Sequence, residues 1–200
     1  NKYGQFFTTP TMCSWTLDIV NKIKPISGNL LEPSFGSGNF VDEMSKLKNV
    51  NIDAIEIDEK HFNSYQSNIV NLYNLDFLEF KPTKKYDFIV GNPPYIELCY
   101  SFYTKEQQEV IKKKYKGLSS GRINLVHIFM RESFDMLNDD GVIAYLLPST
   151  VLTSPVYKYI RKEIYENYNI EHLTEDVNFQ DVSMKVSLLV IRKTKRIICF

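Results

Sequence analysis

The tetrapeptide Asn92-Pro93-Pro94-Tyr95 follows the largely apolar run Tyr86-Asp87-Phe88-Ile89-Val90 after Gly91 alone. It places a side-chain amide, two rigid residues and an aromatic ring at what reads as a strand end. The chemical problem this arrangement fits is alkylation of a planar amine. An exocyclic amino group on adenine has its lone pair delocalised into the ring and is a poor nucleophile. Two acceptors aimed at its hydrogens favour a more localised lone pair. Asn92 offers its side-chain carbonyl as one acceptor. The main-chain carbonyl of Pro93 offers the other, because Pro93 and Pro94 fix the local dihedrals. Tyr95 offers a stacking platform for the base, worth about 1–3 kcal/mol in comparable contexts. No strong general base is required, so alignment carries most of the rate. A polyproline docking ligand would show the same prolines, but such ligands belong on disordered tails rather than at the end of an apolar strand.

A second group of residues with chemical potential closes other expected strands. Glu32-Pro33-Ser34-Phe35-Gly36-Ser37-Gly38 gives a tight turn in which Gly36 and Gly38 present no Cβ to a ligand lying close by. It is neither a GxGxxG fingerprint nor a P-loop, which weakens phosphate binding. Glu56 ends the next strand, where an acid accepts hydrogen bonds from both hydroxyls of a ribose. Asp76 at a third strand end suits an exocyclic amino group, with Phe77 or Ile57 against an adenine face. Together they fit an adenosine-bearing ligand without a phosphate requirement, and S-adenosylmethionine is the candidate, with Glu32 at its ammonium or sulfonium.

The elements that must position these residues alternate between strand and helix periodicity, the signature of a parallel α/β sheet. A helix is expected over Pro10–Ile23, with Pro10 in its first turn and Met12, Trp15, Ile19 and Ile23 on one face. Strands are expected at residues 29–31, 52–57, 70–75, 86–90, 142–147, 170–173 and 186–191. Helices are expected from Phe40, over 59–68, over 122–137 and over 155–168, with a turn at Asp139-Asp140-Gly141. The expected fold is a doubly wound, seven-stranded, mostly parallel, Rossmann-like sheet.

The composition restricts the class of protein. The chain has 200 residues, 24 basic and 24 acidic side chains, and 44% hydrophobic residues, which describes one soluble domain with a real core. Three scattered cysteines form no disulfide framework, and a cytoplasmic setting is expected. His61, His127 and His172 join no metal-ligand spacing, so no metal is expected. No apolar run approaches the roughly 20 residues that span a bilayer. The zero net charge argues against coating nucleic acid by charge alone. The chain begins at Asn1 and ends in a basic, apolar stretch, and is expected to be a fragment.

The motifs together resemble the gamma-type adenine-N6 DNA methyltransferases of restriction-modification systems. The resemblance covers essentially the whole chain. It rests on Gly4-Gln5-Phe6-Phe7-Thr8-Thr9-Pro10 ahead of the Glu32–Gly38 loop, Ile55-Glu56-Ile57-Asp58, Asp76-Phe77 and Asn92-Pro93-Pro94-Tyr95. Ile123-Asn124-Leu125 through Phe129, and Asn178-Phe179 ahead of Lys185-Val186-Ser187, add to it. The resemblance implies that Thr8, Thr9 and Pro10 line the methionine end of the cofactor, Glu32 its amino group, Glu56 the ribose and Asp76 the adenine. It also implies that Pro33, Gly36, Gly38, Ile57, Phe77 and Phe129 pack around the cofactor. Asn92 and Pro93 would bind the target amine, with Asn92 also counted among the cofactor-binding residues, and Tyr95 and Phe179 would stack a flipped adenine, since a paired N6 cannot meet a buried methyl donor.

That family usually carries a second domain that reads DNA sequence, and none is expected within residues 1–200. Double-stranded DNA with an adenine-containing site is the expected partner, with a recognition or nuclease domain or subunit outside this chain. Lys112–Lys116 and Arg192–Arg196 are candidate phosphate contacts. A glutamine-N5 protein methyltransferase, an RNA base methyltransferase and a cofactor-binding structural subunit are the rival readings.

Overall fold

The computed structural model describes residues 7–119, 121–177 and 185–193. Strands β1 (Gly28–Glu32), β2 (Val50–Glu56), β3 (Val70–Asn74), β4 (Tyr86–Gly91), β5 (Leu137–Pro148), β6 (Tyr168–Val177) and β7 (Val186–Lys193) form one sheet in the order β3-β2-β1-β4-β5-β7-β6. The first five run parallel; β7 lies antiparallel between β5 and β6. The seven-stranded, mostly parallel sheet expected from the sequence is therefore observed. The strand order reverses between β1 and β4, and a crevice opens beyond the carboxyl ends there.

Helices α1 (Pro10–Ile23), α2 (Asn39–Met44), α3 (Glu59–Ser64), α4 (Lys105–Lys114), α5 (Leu125–Met136), α6 (Thr150–Thr153) and α7 (Lys158–Asn167) connect the strands. Alternate residues of each strand feed two cores, one per face. Leu30, Phe88, Val142 and Ala144 pack with Cys13, Leu17 and Val20 of α1 and Phe40 and Val41 of α2. Leu31, Ile89, Ile143 and Tyr145 pack with α5 and α7 on the other face. Burial on both sides is why the central strands read as unbroken apolar runs.

Three local expectations need correction. The helix expected over 59–68 stops at Ser64, because Tyr65 turns extended, donates its hydroxyl to Asp42 at 3.0 Å and meets Phe35 edge-on at 4.8 Å. The helix expected from Arg122 starts at Leu125. Its cap Asn124 accepts from the Val126 N–H, and residues 123–125 instead bond to the loop after β4, Leu98 N to Ile123 O and Leu125 N to Ile96 O. The turn expected at Asp139-Asp140-Gly141 is an irregularity inside β5. There the register against β4 jumps between the Tyr86 and Phe88 pairs, and Asp140, at φ 65°, is held by Lys24 and Arg192. Among the described residues, no helix is long and apolar enough to cross a membrane.

Candidate functional site

Four strand ends enclose a cleft beyond the carboxyl edge of the sheet, where open α/β sheets bind their ligands. Its lining includes Glu32 and Pro33 after β1, Gly36 in the following loop, Glu56 and Ile57 after β2, Asp76 and Phe77 after β3, and Asn92 and Pro94 after β4. Residues from four separate chain segments therefore meet in one place.

Glu32 is 2% exposed, and its Oε2 has no hydrogen-bond partner among the described residues. Burial pushes its pKa well above the usual carboxylate range, the nearby Glu56 and Asp42 add to this, and the Val41 N–H opposes it. An orphaned, buried carboxylate oxygen facing a cleft is strongly unfavourable unless a donor arrives. Glu56 is built differently. Its Oε2 accepts the Gly36 N–H and its Oε1 the Asp58 N–H, both at 2.6 Å. Burial raises its pKa and those two backbone donors pull it down. The two bonds fix the carboxylate plane at the edge of the cleft. Asp76 accepts from Leu78 N at 2.9 Å through Oδ1 and from the Tyr103 hydroxyl at 2.7 Å through Oδ2. Phe77 and Phe129 line the cleft with ring centroids 4.7 Å apart.

The loop after β1 is shaped by its glycines in two ways. Gly36 adopts φ 58° to turn its N–H onto Glu56. Gly38, at φ 84°, is not part of the cleft lining; a Cβ there would stand 2.6 Å from the Phe35 ring. Packing and backbone conformation both call for glycine there.

Thr8 is buried, accepts the Asn92 side-chain N–H at 3.2 Å, and offers its carbonyl to Asn39 at 2.7 Å. Thr9 and Pro10 lie outside the cleft lining. Thr9 caps α1 by accepting from Met12 N, and Pro10 opens that helix, which uses both residues locally.

The Asn92–Tyr95 turn leaves β4 with the Asn92 carbonyl accepting from Ser34 Oγ at 3.0 Å. Asn92 and Pro94 face the first cleft, Pro93 is buried, and Tyr95 faces a second, more open cleft lined by Asn124, Ser149, Tyr157, Asp176 and Lys185. The Tyr95 hydroxyl donates to Asn92 Oδ1. One short turn thus separates the two clefts and contributes to both. Phe179 lies outside the described residues.

Sequence reasoning missed several residues here. Tyr103 and Phe102 line the first cleft, reached through a loop whose path no local pattern announces. His127, wholly buried, stacks on Tyr157 at 4.4 Å and places its ring nitrogens 3.0 Å from Asn124 N and 3.2 Å from Val156 O. It joins Asn124 and Tyr157, two of the residues that wall the second cleft. Its presence among apolar neighbours on a helix carried no signal. Among the described residues, no group of three or more His, Cys, Asp or Glu side chains is placed to hold a metal ion.

A family model described as Eco57I restriction-modification methylase matches residues 15–182. The type II methyltransferase M.AccI of Acinetobacter calcoaceticus is 29% identical over 209 residues, covering 94% of this chain and 36% of the relative. A structure from Listeria monocytogenes assigned to the class I S-adenosylmethionine-dependent methyltransferases superposes with TM-score 0.70 at 15% identity, covering 95% of this chain and 60% of that one. The type IIG restriction endonuclease BpuSI superposes with TM-score 0.70 at 20% identity, over 94% of this chain and 25% of that protein. The chain thus spans about a third of M.AccI and a quarter of BpuSI. With a family model matching residues 15–182, most of its length, this chain belongs to the Eco57I restriction-modification methylase family.

Proposed function

We propose that this domain transfers a methyl group from S-adenosylmethionine to the N6 amino group of an adenine turned out of duplex DNA. One observation carries the reading: the Asn92–Tyr95 turn stands between two clefts, with its amide on one side and its aromatic ring on the other. The first cleft suits the cofactor. Glu32 supplies an unsatisfied buried acceptor for an ammonium group, Glu56 an oriented acceptor pair for ribose hydroxyls, and Asp76 an acceptor for an adenine amine. When bound, the cofactor supplies an electrophilic methyl group.

The chain's own residues do the rest. Tyr95 supports the base in the second cleft, and Asn92 Oδ1, held by Thr8 through the other end of the amide, receives a hydrogen of the target amine. The Pro93 carbonyl receives the other. The amine is then oriented with its lone pair along the transfer axis, and the proton it sheds after alkylation leaves to solvent without a dedicated base. In the free protein Tyr95 donates to Asn92 Oδ1, so the entering amine takes over a hydrogen bond that the turn already makes. Family membership and the resemblance to M.AccI support DNA as the substrate.

The test separates chemistry from binding. Asn92→Ala should lower the single-turnover transfer rate about 10²–10³-fold, as for loss of one preorganised transition-state partner, while leaving S-adenosylhomocysteine affinity within about twofold. A collapse of cofactor affinity with the rate intact would overturn the assignment of this turn to the target amine.

A further inference from the structure

The loop between the Asn92–Tyr95 turn and α4 ends at Phe102 and Tyr103, which both line the first cleft. Tyr103 is 8% exposed and is fixed at two points. Its carbonyl accepts from the side chain of the buried Gln108 at 2.9 Å, and its hydroxyl donates to Asp76 Oδ2 at 2.7 Å. Asp76 Oδ1 is taken by the Leu78 N–H at 2.9 Å. The carboxylate therefore cannot rotate without losing a bond, and each oxygen keeps one further lone pair. Burial, followed by the charge of and the hydrogen bond to Asp76, pushes the Tyr103 hydroxyl pKa up, so it remains a donor.

We propose that Tyr103 is a positioning residue for cofactor selection: it locks the Asp76 carboxylate as a pure acceptor so that the cleft accepts a 6-aminopurine and rejects a 6-oxopurine. This rests on the reading of the first cleft as the cofactor site. The discrimination follows from lone pairs. A 6-amino group presents a hydrogen to the carboxylate, whereas a 6-oxo group presents only lone pairs and is repelled. A locked carboxylate cannot turn away to relieve that repulsion. Without the Tyr103 hydroxyl, Oδ2 exchanges its fixed donor for water and the carboxylate gains freedom to turn. The adenosyl ligand then loses an oriented partner, and the oxo ligand loses part of its penalty.

The experiment compares S-adenosylhomocysteine with its 6-oxo counterpart, S-inosylhomocysteine, by calorimetric titration of the protein and two variants. The parent should prefer the adenosyl ligand at least about a hundredfold, since a site built around one hydrogen bond strongly rejects the analogue lacking it. Tyr103→Phe, which keeps the ring beside Phe102, should weaken adenosyl binding about tenfold and compress the preference. Asp76→Asn, whose amide can donate to a 6-oxo group, should erase it. A Tyr103→Phe protein that loses both ligands equally, keeping the preference, would show a merely structural role and overturn the proposal. Tighter adenosyl binding in that variant would show that Tyr103 competes with the cofactor, and would also overturn it. If Asp76→Asn kept the full preference, the placement of adenine at Asp76 would fail instead.

Discussion

Glu32 gives the sharpest quantitative consequence of the cleft. Its carboxyl is 2% exposed with one oxygen unpartnered, and burial holds its pKa well above the ordinary 4.5. Across the interval between those two values, the free protein carries a proton on Glu32 that an exposed glutamate would have lost. An ammonium group arriving beside it favours the ionised form, so binding releases that proton. Affinity for S-adenosylhomocysteine should rise with pH through this interval by up to about tenfold per pH unit. The rise ends as the ligand's own α-amino group deprotonates at roughly pH 8. Glu32→Gln preserves size and removes the charge. It should flatten the pH dependence and weaken binding at neutral pH about 10- to 100-fold, from a charge-assisted hydrogen bond worth about 1.5–3 kcal/mol.

The linkage also acts on folding. For a group whose pKa is raised in the folded state, stability is fully present below the unfolded value and is lost as pH rises through the folded one. Glu32→Gln should therefore be at least as stable as the parent at neutral pH. Calorimetry in two buffers of different ionisation enthalpy counts the released proton. Methylthioadenosine, which lacks the amino-acid tail, should release none. Equal affinities for parent and variant with the same pH slope would refute the reasoning.

Two further outcomes follow from the loops. Gly38→Ala should destabilise the fold by about 1–2 kcal/mol in urea denaturation, because φ 84° is strained for alanine and its Cβ meets the Phe35 ring at 2.6 Å; an unchanged midpoint would count against the packing explanation. Thr8→Val removes the acceptor for the Asn92 amide and should slow transfer up to about tenfold, the scale of one neutral hydrogen bond, with Thr8→Ser restoring the rate; equal rates in both variants would detach Thr8 from Asn92.

The sequence made the strand ends legible because parallel strands buried on both faces leave long apolar runs, and the polar residues that end them stand out. Glu32, Glu56, Asp76 and Asn92 were found this way, and all line one cleft. The α1 boundaries were equally legible, since Thr9 and Pro10 are strong local start signals. The same local chemistry uses those two residues to start α1, and neither lines the cleft. What local pattern did not convey depends on contacts distant in sequence. The start of α5 is set by pairing with the loop after β4, the end of α3 by the anchoring of Tyr65 on Phe35 and Asp42, and the irregularity in β5 by Lys24 and Arg192 on Asp140. Tyr103 and Tyr157 reach the clefts, and His127 joins Asn124 to Tyr157, only through such contacts. The placement of β7 between β5 and β6, antiparallel to both, likewise leaves no mark on its own run of apolar residues.

The most direct test of methyl transfer to adenine is the identity of the methylated product. The full chain, incubated with methyl-labelled S-adenosylmethionine and duplex DNA, should yield N6-methyladenine on nucleoside digestion and mass spectrometry, and the Asn92→Ala chain should yield almost none. Label on cytosine, or on a protein glutamine with none on DNA, would contradict the account.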